Sequence, residues 1–165
     1  EYQQLALDSP IFQKGAFGVV LAGIAGAFIA GYTSDWVFQS RRTPVAFIGY
    51  ILIIFSLSVI WMAPSVTLVI VAFISNSLGI IMVHSMLSGT ASMDFGGQRA
   101  AATATGMFDG MQYIGGAFVG VGVGWLLDNF GWEAWSPSMI GFAMVGALLM
   151  LKLWNAKPKP RAVKQ

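Results

Sequence analysis

Cysteine is missing from the chain, histidine occurs once, and only 10% of the 165 residues are charged. The first absence excludes a disulfide framework and a thiol nucleophile, and it leaves the redox compartment unmarked. One histidine, His84, cannot make a metal cluster. There is no Gly-rich phosphate loop of the P-loop kind and no nucleophile elbow. No nucleophile, base and orienting group stand together either, so an enzyme is not expected, and nothing calls for a cofactor. The first residues, EYQQLALDSP, lack an initiator methionine and the basic start and short apolar run of a secretory signal. They read as a connecting loop, and the chain as a fragment.

What is present in excess is apolar surface. Hydrophobic residues make up 56% of the chain and mean hydropathy is +0.72, against about 45–50% apolar and about 25% charged residues in soluble proteins. The excess is gathered in five runs, at about 15–32, 44–62, 66–88, 101–127 and 136–154, each near the roughly 20 residues a bilayer requires. Backbone groups in lipid must bond within their own segment, so the runs are read as helices. The expected fold is an all-α polytopic membrane protein with five transmembrane helices, and the lipid bilayer is its first partner.

Independent markers sit at the ends of the runs. All six tryptophans, Trp36, Trp61, Trp125, Trp132, Trp135 and Trp154, fall at or beside a boundary, where an amphipathic indole prefers the headgroup layer. Thr43-Pro44 opens the second run, Ala63-Pro64-Ser65 closes it, and Ser136-Pro137 reads as a helix cap followed by proline at the first helical position. Basic residues give the orientation. Eight of nine, Arg41, Arg42, Arg99, Lys152, Lys157, Lys159, Arg161 and Lys164, belong to one side, and only Lys14 to the other. Loops rich in Lys and Arg stay cytoplasmic, so the fragment is expected with its N-terminus outside and its C-terminus in the cytoplasm. Residues 155–165 then form a solvated basic tail, which is preferred over a lipid or nucleic-acid patch.

Two ionisable residues lie deep in this scheme. At about 1.5 Å per helical residue, Asp109 is about 15 Å from Arg99 and about 28 Å from Asp128. His84 lies about 15 Å from Asp94. The third and fourth helices, joined by a short loop around the glycines at 96–97, would bring both residues to similar height. A carboxylate at that depth is tolerated where it faces protein or water. Asp109 and His84 are therefore candidates for a transport cavity or a coupling role, with Gln112 and Tyr113 on the same helical face as Asp109. An interhelical hydrogen bond that holds the bundle together is the alternative. Asn76, with Ser75 and Ser77, is a weaker cavity candidate, because small polar residues in membrane helices commonly act as glue. Small-residue stripes Ala22/Gly26/Ala30 and Gly116/Gly120/Gly124 are expected to let helices approach closely.

GYTSDWVFQSRR, at 31–42, resembles the G-x-x-x-D…R-R signature of the cytoplasmic loop between the second and third helices of each half in major facilitator transporters. Gly31, Asp35, Arg41 and Arg42 match it, with two extra residues before the arginine pair. SMDFGGQRAAATATGMFDGMQYIGG, at 92–116, is similar to the loop and penultimate helix of the organophosphate:phosphate antiporters, which include glycerol-3-phosphate and sugar-phosphate transporters. Asp94, Arg99, Gly106, Tyr113, Gly115 and Gly116 carry that likeness, and the Asp109-Gly110 pair looks most like the sugar-phosphate exchangers.

The resemblance implies five helices of a major-facilitator six-helix half, at the C-terminal end of a twelve-helix protein whose N-terminal half is the partner. It implies a bacterial inner-membrane exchanger of an organic phosphate, such as glycerol-3-phosphate or a sugar phosphate, for inorganic phosphate by alternating access. Asp35 would sit against the positive N-terminus of a helix in the opposite half, as part of an inward latch. Arginines that grip phosphate lie in that family on helices outside this chain. A proton-coupled facilitator for another solute and a non-transporting membrane sensor of sugar phosphates are the alternatives.

Overall fold

The computed structural model describes residues 10–62 and 65–156. The basic tail from 157 onward, the opening residues 1–9 and the Ala63-Pro64 breaker lie outside the described residues. Helix α1 (Pro10–Tyr32) passes into a π-helical turn, Thr33–Val37, before α2 (Arg42–Met62). Helix α3 (Val66–His84) runs into a π-helical stretch, Ser85–Ala91, followed by α4 (Ser92–Phe130), a 3₁₀ turn at Trp132–Ala134 and α5 (Trp135–Lys152). Among the described residues, five helical segments are long and apolar enough to cross a membrane. The protein is an all-α, multi-pass membrane protein.

Local chemistry explains the ends. Pro44 occupies the first turn of α2, where its missing N–H costs nothing. The Ser65 hydroxyl accepts the Leu68 N–H at 3.3 Å and caps α3. Gly131, at φ 78°, stops α4 while its N–H donates to the Leu127 carbonyl at 2.8 Å. The start of α5 differs from the sequence expectation. Ser136 is inside the first turn rather than at the cap, because the 3₁₀ turn has already wound the backbone into helix by Trp135.

The passage from α3 to α4 also differs from the expected loop. Backbone from Ser92 to Phe130 is helical throughout, yet a straight helix would separate Ser92 from Thr105 by about 20 Å. Their hydroxyls are 2.8 Å apart. The chain therefore doubles back between them, around the expected glycine pair, without opening into an irregular loop.

Packing order is not chain order. Helix α3 lies between α1 and α2, and α5 packs on the other side of α2. At the α2–α3 crossing Gly49 faces Gly79, so closely that a Cβ built on Gly79 would stand 2.9 Å from the Gly49 carbonyl. Glycine is required there by the approach of two backbones. The Ala22/Gly26/Ala30 stripe does pack, with Gly26 against the Leu78 backbone and both alanines buried. The Gly116/Gly120/Gly124 stripe does not. Helix α4 leans out of the bundle and nothing described lies within 4 Å of a Cβ at those positions. Ala30, Val45, Ala46, Met82, Met86 and Met150 form a buried cluster toward the end of the bundle that carries the α1–α2 connection.

Candidate functional site

Two constellations stand out, one at the α1–α2 connection and one inside the spans. The first begins with a tight reversal in which Gln39 and Ser40 take positive φ, 53° and 62°. That turn brings Asp35 back over the start of α2. The Arg42 guanidinium donates to Asp35 at 2.6 Å, to Asp94 at 2.8 Å and to the buried Ser34 hydroxyl at 2.9 Å. Ser34 in turn donates to the Arg41 carbonyl at 3.1 Å. Arg42 is thus a pivot between the α1–α2 turn and the point where α3 gives way to α4. Within the chain the partner of Asp35 is Arg42, with the Ser40 hydroxyl donating at 3.2 Å.

Arg41 behaves differently from its neighbour. It reaches Asn155 at 3.5 Å, and its Nε has no partner among the described residues. The Thr43 hydroxyl donates to the Leu153 carbonyl at 2.8 Å, and the Trp154 ring lies edge-on to Phe38 and Phe47. The end of α5 is clamped to the start of α2. Gly31, in the last turn of α1, meets no neighbour at its Cβ position.

The second constellation is a cavity of about 390 Å³ between α2, α3 and α4, lined by Tyr50, His84, Ser88, Phe108 and Gln112 among others. Asp109 stands at its edge, where its carboxylate accepts a hydrogen bond from the buried Ser88 hydroxyl. A π-helical stretch carries Ser88. The wider turn displaces the regular backbone bonds, and side-chain hydroxyls take up carbonyls: Thr90 donates to Ser85 at 2.8 Å and Ser92 to Ser88 at 2.6 Å. Such irregular turns in membrane helices occur where protein or a cavity covers them.

The sequence candidates separate on this geometry. His84 and Gln112 line the cavity and Asp109 borders it. Tyr113 is 80% exposed and turns away, while Asn76 lies elsewhere on α3 with its Oδ1 unpartnered among the described residues. Ser77 donates to the Val19 carbonyl at 2.9 Å and ties α3 to α1. Ser88 and Tyr50 were not singled out from sequence. The run SMLSGTAS, dense in small hydroxyl residues inside an apolar stretch, was the available signal for Ser88. Tyr50 had none.

No family model and no solved structure matches the chain. Curated proteins do. The glycerol-3-phosphate transporter of Bacillus subtilis is 29% identical over 136 residues, 81% of this chain and 31% of that protein. The probable hexose phosphate transport protein of Chlamydia muridarum is 26% identical over 144 residues, 82% of this chain and 30% of its own length. The membrane sensor protein UhpC of Escherichia coli is 30% identical over 138 residues, 83% of this chain and 31% of the sensor. Over about 80% of its length the chain is thus similar to hexose phosphate and glycerol-3-phosphate transporters and to UhpC, which is consistent with an organophosphate:phosphate antiporter-type major facilitator. It spans about 30% of the length of these relatives. Transporters and a sensor therefore share this stretch of sequence, and none of the three is named as an enzyme.

Proposed function

We propose that the chain is part of the C-terminal half of a secondary transporter that exchanges an organic phosphate for inorganic phosphate by alternating access in a bacterial inner membrane. The observation that carries this reading is Asp109, an acid inside a span, held by Ser88 at the edge of a cavity that His84 and Gln112 also line. A carboxylate kept at that depth on a polar partner is the mark of a solute or proton path. In this reading the cavity is one wall of the solute site, and the N-terminal half supplies the facing wall. Names of the relatives, which include glycerol-3-phosphate and hexose phosphate transporters, support a phosphorylated solute. The Arg42 pivot lies on the cytoplasmic side, with the N-terminus of the chain outside and its C-terminus inside, as the distribution of basic residues supports.

The test is uptake of labelled glycerol-3-phosphate and glucose-6-phosphate by proteoliposomes that contain the full-length protein and are loaded with inorganic phosphate. Exchange should require phosphate inside. Uptake that follows a pH gradient and ignores internal phosphate selects proton coupling instead. The likeness to UhpC favours one further reading, a sensor that binds sugar phosphate without moving it. Saturable binding with no exchange selects that reading.

A further inference from the structure

At the end of the bundle opposite Arg42, a cleft of about 740 Å³ opens between the ends of α2, α3 and α5. Trp61, Phe73, Trp132, Glu133, Trp135 and Ser136 line it. Local structure gathers these residues. Gly131 turns the chain at φ 78°, and the 3₁₀ turn that follows eclipses positions three apart, which puts Trp132 and Trp135 on one side with Glu133 between them.

The polar groups here lack partners. Among the described residues none of the three indoles has a hydrogen bond or a ring contact, and Glu133 has no ion pair or hydrogen bond. Ser136 is only 6% exposed, and among the described residues its hydroxyl also lacks a partner. Trp61 and Trp132 are 60% and 74% exposed, so their ring faces and N–H groups are open to an outside partner. The cleft thus offers indole and hydroxyl donors and π faces, with a single carboxylate and no lysine or arginine among the described residues that line it.

We propose that this cleft binds the zwitterionic headgroup of an ethanolamine phospholipid. The ammonium sits on the Glu133 carboxylate and against the indole faces, which attract a cation through the ring quadrupole. The phosphate accepts from indole N–H groups and from the Ser136 hydroxyl. Charge excludes the transported class as occupant, since a phosphate monoester carries a charge of −1.5 to −2 and the only charge in the lining is negative. Depth favours lipid: three tryptophans at helix ends mark the headgroup layer, where this zwitterion is at hand. Binding would fix the α4–α5 connection to the ends of α2 and α3.

The experiment is native mass spectrometry of the full-length protein, delipidated and titrated with ethanolamine and glycerol phospholipids of identical acyl chains. The ethanolamine lipid should be retained several-fold more strongly. Glu133→Gln should reduce it to the level of the glycerol lipid, and Trp132→Phe, which keeps a ring but removes the N–H, should weaken it partly. Glu133 is exposed, so the variant's thermal transition in glycerol lipid should match the wild type and separate binding from folding. Equal retention of the two lipids, or an unchanged preference in Glu133→Gln, overturns the proposal. Tryptophan quenching by free glucose that Glu133→Gln abolishes would make the cleft a carbohydrate site and overturn it equally.

Discussion

Arg42 and Asp94, 52 residues apart in the chain, meet at 2.8 Å, and the same guanidinium holds Asp35 at 2.6 Å. The two acids are not equivalent. Asp94 is 24% exposed and Asp35 54%, so water screens the second pair more.

Removing Asp94 is therefore expected to cost more than removing Asp35. Asp94→Asn should destabilise the full-length protein by about 1.5–3 kcal/mol, the range for a hydrogen bond to a charged group, and Asp35→Asn by about 0–1 kcal/mol. Thermal unfolding in detergent measures both, and a double-mutant cycle with Arg42→Gln gives the coupling. Equal costs would mean that the Asp94 pair is no better shielded than the exposed one.

Asp109→Asn should lower exchange at least tenfold with membrane insertion unchanged, since the amide keeps the shape but loses the charge. Ser88→Ala should give a smaller loss, because it removes only the donor. Proteoliposome exchange rates beside expression levels check both. Wild-type exchange in Asp109→Asn would reduce the residue to a packing contact.

Gly79→Ala should be poorly tolerated. Its Cβ would stand 2.9 Å from the Gly49 carbonyl and 2.9 Å from an Ile53 side-chain carbon. Overpacking of this kind costs about 1–3 kcal/mol. Gly120→Ala meets nothing in the described residues and should leave the stability of the helix pair unchanged. Thermal stability of the two variants, measured side by side, tests the contrast.

Gly131→Ala should destabilise the α4–α5 connection by about 1–3 kcal/mol, because φ 78° with ψ 177° lies in a region open essentially only to glycine. Proteolysis or hydrogen exchange at 128–136 reports the loosening. Protection equal to wild type would show that the turn has an alternative geometry.

Helix number and helix type were legible in the sequence because the bilayer sets a length and composition rule that each apolar run satisfies by itself. Small-residue stripes were half legible. Ala22/Gly26/Ala30 meets α3, whereas Gly116/Gly120/Gly124 has no described neighbour, and spacing alone cannot tell which stripe finds a partner. The Gly49–Gly79 crossing was missed for the complementary reason: each glycine is alone in its helix, and the contact exists only once α3 lies between α1 and α2. At the site, the depth rule picked out Asp109 and His84 from charge alone. It could not find Ser88, because an i→i+5 turn shifts side chains off the regular helical period. Tyr113 shares the face of Asp109 by count but points out, because α4 departs from the bundle beyond that level.

The clamp of Thr43, Phe38 and Phe47 onto Leu153 and Trp154 makes the tail's root and the arginine pivot one mechanical unit. A bulky reporter spliced directly after Asn155 would load the same few residues that seat Arg42. A flexible spacer between Asn155 and the reporter leaves that joint at rest.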